Sequence, residues 1–98
     1  MRPMNREELQ ARSHILDQVE AAIKNAEGLK SLLFCRQGSV SQDMMTGLTQ
    51  LLGVLKMDLQ KFLENEGPEP LQTMLLGMAH LLGASQMCGV FLRSCDKK

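Results

Sequence analysis

The chain has 98 residues, a length that holds one domain at most and limits the share of surface that folding can bury. Lys plus Arg total 11 and Asp plus Glu total 11, so no general field draws the chain to nucleic acid or to an anionic membrane. Trp and Tyr are absent and Phe is rare; the apolar content comes from Leu, Met, Val and Ala, which excludes a strand-rich fold and favours helix.

The cysteines, Cys35, Cys88 and Cys95, are odd in number and argue against a disulfide framework. The opening run MRPMNREELQARSH has no apolar segment, so it does not read as a signal peptide. Together these features predict a reducing, cytoplasmic setting.

The periodicity predicts three helices over about 5–36, 40–66 and 69–93, in a single domain spanning 1–98, with a frayed tail over 94–98. Asn5 suits the first N-cap, Glu8 sits where a capping box wants an acid, and Met4 with Leu9 are spaced as a hydrophobic staple. Leu9, Leu16, Val19, Ile23, Ala26 and Leu33 then follow helical spacing, with charges on the other face. Gly28 weakens this helix locally and allows a bend. Gly38 suits its C-terminal cap.

The second helix is expected to open at a Ser39–Gln42 capping box, with Ser41 as a rival cap and Asp43 favourably near the positive end of the dipole. Leu48, Leu52, Leu55, Leu59 and Phe62 step by four and three, and Leu51 and Leu63 widen that stripe. Thr46, Gln50, Gly53, Met57 and Gln60 form a wettable opposite face. The run NEGPEP stops the helix: Gly67 can end it and Pro68 cannot continue it, while Pro70 is tolerable in the next first turn. So short a connection predicts an antiparallel hairpin of helices two and three, with helix one packed across it.

The third segment is the most informative. From Leu71 to Leu92 it has no formal charge. One predicted face carries Leu71, Met74, Leu75, Met78, Leu82 and Ser85; the opposite face carries Leu76, His80, Gly83, Met87, Val90 and Phe91. Both are largely apolar, the pattern of a helix covered on all sides. An ungapped alignment of MMTGLTQLLGVLKM, from Met44, with MLLGMAHLLGASQM, from Met74, sharpens the contrast: Thr46, Gln50 and Gln60 of helix two become Leu76, His80 and Val90 of helix three. Coincidence in Leu/Met/Gly-rich sequence explains the alignment better than duplication does. The extra apolar side calls for a cover. An apolar patch of a few hundred Å² is unusual on a soluble monomer. Self-association through Leu76, His80, Gly83, Met87, Val90 and Phe91 is the expectation, most simply by antiparallel pairing of helix three with itself. A membrane span is long enough but disfavoured by Gln72, Thr73, His80, Ser85 and Gln86.

Chemistry has little support. His80 and Cys88 lie about 12 Å apart along one helix, too far for one metal ion, and zinc-ligand spacing is lacking; no metal or cofactor is expected, and the cysteines read as small buried hydrophobes. His14 reads as solvated. A Cys35–His14 pair would need an orienting group that the sequence does not supply. There is no nucleophile-elbow, phosphate-loop or paired-carboxylate motif. The sequence therefore predicts an all-α three-helix module for protein–protein interaction, adaptor-like or chaperone-like, homodimeric or bound to a helical partner, and not an enzyme. Two other classes stay in view: a DNA-associated regulator using Arg2, Arg6, Arg12 and Lys24, and a peripheral membrane protein using helix three.

Overall fold

The computed structural model describes residues 5–36, 38–65 and 67–96. Among them the fold is all-helical: α1 (Arg6–Phe34), α2 (Ser39–Glu64) and α3 (Pro68–Asp96). The helices pack together pairwise, and α2 and α3 share the most extensive contact. The product is a rod of 58 × 20 × 16 Å. Its radius of gyration, 16.0 Å, exceeds the ~13 Å of a compact chain of this length. In such a rod every helix keeps one long side facing out.

Local chemistry sets the helix ends. The Asn5 side chain accepts a 2.8 Å hydrogen bond from the Glu8 N–H, the cap expected from the sequence. The partner expected for the Leu9 staple, Met4, lies outside the described residues, and Leu9 is half exposed. Helix α1 continues through Gly28 and stops two residues earlier than expected, where the Cys35 N–H donates to the Ser31 carbonyl at 3.3 Å.

The start of α2 differs from the expectation. Neither Ser39 nor Ser41 caps it. Gly38 is the N-cap, with φ 137° and ψ 163° and no side-chain bond. Its carbonyl accepts from the Gln42 N–H at 3.1 Å. That φ is open to glycine and strained for other residues. Gly38 thus serves the entry to α2 rather than the exit from α1. At the second connection Asn65 ends α2, its N–H donating to the Lys61 carbonyl at 2.9 Å. Pro68 and Pro70 both fall in the first turn of α3, where their missing N–H groups would have lacked helical partners. Residues 94–96, expected to fray, continue α3.

The core is a single cluster along the rod. Helix α2 supplies Leu48, Leu52, Leu55 and Phe62, all under 5% exposed, as its stripe predicts. Helix α1 supplies Val19, Ala22, Ile23, Ala26 and Leu33. Its two alanines make the narrow stripe effective, because small side chains let neighbouring helices close in. Helix α3 supplies Met74, Leu81, Cys88 and Leu92. The inner face of α3 is therefore rotated from the expected one: Leu82 is 43% exposed while Leu81 is fully buried. With Met78 and Ser85, these positions step by four and three, the ~3.5-residue period of helices that pack nearly side by side. Two serines interrupt the apolar core: Ser41 and Ser85 have buried hydroxyl groups with no hydrogen-bond partner.

The repeated Met44 and Met74 segments do not occupy equal environments. Leu52 is buried while its counterpart Leu82 is not. Gly47 faces open space while its counterpart Gly77 packs on α2.

Candidate functional site

The outer side of α3 is built by the same four-and-three spacing as its inner side. Two positions on from the inner series Met74, Met78, Leu81, Ser85, Cys88 runs a second series: Leu76, His80, Gly83, Met87, Val90. Two residues rotate a helix by ~200°, so the second series looks away from the bundle. Exposure agrees: Leu76 is 59%, Met87 68% and Val90 56% exposed, and His80 and Gly83 are exposed as well. Phe91, expected among these residues, is drawn aside; it is half-buried against the core. The stripe is five residues rather than six.

The other two helices do not offer the same surface. Along the outer side of α2, Thr46, Gln50, Gly53 and Gln60 are exposed together with the apolar Val54 and Met57, and Lys56 and Lys61 add charge. Helix α1 turns charge outward, and its Glu27 meets Lys56 of α2 at 3.3 Å. Both partners are half exposed, so that pair is worth roughly 0–1 kcal/mol. Only 22% of the most apolar window of α3 is buried, and among the described residues this is the one helix long and apolar enough to cross a membrane by length and composition.

Beside Gly83 the outer side of α3 is hollowed. Met44 from α2 joins Gly83, Gln86, Met87 and Val90 around a shallow depression of about 340 Å³. A methyl group placed on Gly83 would meet nothing within 4 Å. The protomer therefore has no steric need for glycine there, although a glycine in mid-helix costs ~1 kcal/mol relative to alanine. Gly77, on the side of α3 facing α2, is the opposite case. Its Cβ would lie 2.9 Å from Asp58 Oδ2.

The cysteines part company. Cys88 is buried and Cys35 is exposed, so the reading of all three as buried hydrophobes holds for Cys88 alone. Burial pushes the Cys88 thiol above its ordinary 9.0. Cys88 turns inward while His80 turns outward, so the two do not face one another. His14 is exposed and lies on the same unbroken helix as the C-cap Cys35. Their separation in sequence sets them ~30 Å apart, which rules out a Cys–His pair within one protomer. Arg12, counted toward a positive surface, sits 5.8 Å from the centroid of the Phe62 ring, a cation–π contact that ties it to α2. Of the other three cations, Arg6 and Lys24 are exposed on α1, and Arg2 lies outside the described residues.

Another exposed apolar residue escaped the sequence reading. Phe34, at the last position of α1, is 77% exposed. It stands between two surface hollows of about 540 and 480 Å³, both of which Met45 also lines. Its signal was its place directly after Leu33, one step off the apolar stripe. Comparison with protein-family models, with curated proteins and with solved structures finds no match, so the site is read from its geometry alone.

Proposed function

We propose that this protein is a small cytoplasmic interaction module, adaptor-like or chaperone-like, that binds rather than catalyses, and that the outer stripe of α3 is its docking surface. The single observation that carries the reading is the contrast between two outward faces: on α2 the exposed Val54 and Met57 are interrupted by Gln50, Lys56 and Gln60, whereas the stripe on α3 is uncharged and carries three large exposed apolar side chains. Fully burying a large apolar side chain is worth about 1.5–3 kcal/mol, and a chain that covered the exposed parts of Leu76, Met87 and Val90 would gain a fraction of that at each. A second copy is the simplest cover, since the same uncharged stripe meets itself without repulsion. The finer architecture belongs to this proposal: an antiparallel three-helix bundle completed by dimerisation. Gly77 lies beside Leu55 and Asp58, whereas Gly83, Met87 and Val90 lie beside Met44. Partners thus descend α2 as α3 ascends, which supports the antiparallel hairpin.

The composition of α3 also fits a bilayer, and the outer stripe would suit lipid. The inner side argues for the bundle, because Met74, Leu81, Cys88 and Leu92 pack with α1 and α2 in one core, and those helices would have to be shed for α3 to span. Sedimentation over a wide concentration range, with vesicle flotation alongside, tests the reading. A concentration-dependent dimer that does not float is the expected result. A monomer that floats with the vesicles defeats it.

A further inference from the structure

The stripe on α3 has a centre. Leu76 lies seven residues before Gly83 and Val90 seven after it. Gly83 itself sits where added bulk would meet nothing in its own protomer. Gly53 on α2 is equally open, but around it Gln50, Lys56 and Gln60 stand exposed beside Met57, whereas Gly83 opens onto the uncharged hollow shared by Met44, Met87 and Val90.

We infer that two copies pair through α3 in antiparallel sense, that the helices cross at Gly83, and that Leu76 of each copy seats in the hollow of the other. This rests on the dimer reading above, keeps the antiparallel sense expected from the sequence, and adds the register and the crossing point. A two-fold axis at Gly83 brings Leu76 level with the partner copy's Val90, Ala79 with its Met87 and His80 with its Gln86. Two glycines at the crossing let the backbones approach closely, and the hollow beside each accepts the opposite leucine as a knob in a hole. The polar pair favours this register: a slip that sets His80 against Met87 or Val90 leaves a polar group buried without a partner. Charge selects the sense. Glu69 precedes the uncharged stretch and Arg93 follows it, and both are exposed. In the antiparallel pair Arg93 lies level with the partner copy's Thr73, one turn or ~6 Å from its Glu69. A parallel pair would set Glu69 against Glu69 and Arg93 against Arg93.

The test is cysteine cross-linking in the full-length chain, with peptide mass mapping to separate introduced thiols from native ones. Under mild oxidation Gly83→Cys should give a covalent dimer linked through residue 83, since a disulfide needs Cα atoms within ~7 Å. Leu76→Cys mixed with Val90→Cys should link 76 to 90, and neither variant should link to itself. Self-linkage at 76 or at 90 overturns the antiparallel sense while leaving the dimer standing. A parent chain that stays monomeric at high concentration overturns the dimer and this inference together. A dimer that cross-links at none of the three positions places its interface elsewhere and overturns the inference alone. Gly83→Ala gives a readout free of thiol chemistry. The helix should hold or gain stability while the dimer dissociation constant rises about tenfold, the equivalent of ~1.4 kcal/mol. An unchanged constant removes Gly83 from the crossing.

Discussion

Gly77 of α3 faces Asp58 of α2 so closely that a methyl group on Gly77 would sit 2.9 Å from Asp58 Oδ2 and 3.6 Å from Leu55 Cδ1. Asp58 is only 8% exposed, and to make room its carboxylate would have to turn toward the hollow of about 260 Å³ that it lines with Lys61, Asn65 and Thr73. The missing Cβ is what lets α2 and α3 close at this level.

Two glycines on one helix should therefore answer to alanine with opposite signs. Gly77→Ala gains up to ~1 kcal/mol of helix propensity but overpacks a tight contact, which typically costs about 1–3 kcal/mol, so the net change is destabilising. Gly83→Ala meets no atom in its protomer and should raise monomer stability by up to ~1 kcal/mol. Urea unfolding of both variants, under conditions where the parent is monomeric, checks the pair. Equal stabilisation would show that the Gly77 contact is loose.

Met87→Glu and Met57→Glu form a matched pair, because the two methionines are 68% and 61% exposed on α3 and α2. Neither change buries a charge inside the protomer, so both variants should stay folded. Only Met87→Glu should abolish association, since its carboxylate would have to be desolvated between two chains. Sedimentation with far-UV spectra reads both effects. If Met57→Glu is the disruptive change, the interface lies on α2.

The cysteines should separate by labelling. Exposed Cys35 should react with a thiol reagent in the native state, while Cys88 should react only on opening or unfolding, because it is both buried and held in the protonated form. The sign for stability follows from the direction of the shift. The folded state keeps the proton to a higher pH than the unfolded state does. The Cys88 contribution is therefore complete below the ordinary 9.0 and is lost as pH rises past it. Cys88→Ala should flatten that alkaline decline. It should still fold, with ~1 kcal/mol lost for the removed sulfur. A decline that survives the substitution belongs to another group.

Ser85→Ala should stabilise the protein. The Ser85 hydroxyl is buried without a partner, a state that costs about 1–3 kcal/mol, and alanine removes the hydroxyl at nearly the same volume. Thermal unfolding of the variant should move upward by several degrees. A lower midpoint would mean that the hydroxyl is satisfied in solution.

Helix entry supplies a further comparison. Asn5→Ala removes a 2.8 Å cap bond and should cost ~1 kcal/mol. Gly38→Ala forces a Cβ into φ 137° and should cost about 1–3 kcal/mol. Ser39→Ala should cost little, because that hydroxyl makes no capping bond. A large loss at Ser39 would restore the capping box read from the sequence.

What the sequence alone determined was periodic or chemical at short range. Helix type, the two breaks, the Asn5 cap and the α2 core stripe depend on spacing and on residues a few positions apart, which a linear reading contains. So does the contrast between Thr46, Gln50 and Gln60 on one helix and Leu76, His80 and Val90 on the other. The tertiary structure decided what depends on a neighbour across space. Helix α3 is apolar on both sides, so its own pattern could not choose between Leu81 and Leu82; packing on α1 and α2 turned Leu81 and Cys88 in and left Leu82 half out. Gly77 and Gly83 look alike in the sequence, and only the approach of α2 gives one of them a steric reason. Ser39 and Ser41 were rivals for one cap, and the backbone angle required to turn from α1 into α2 gave it instead to Gly38, which the sequence had placed at the end of α1.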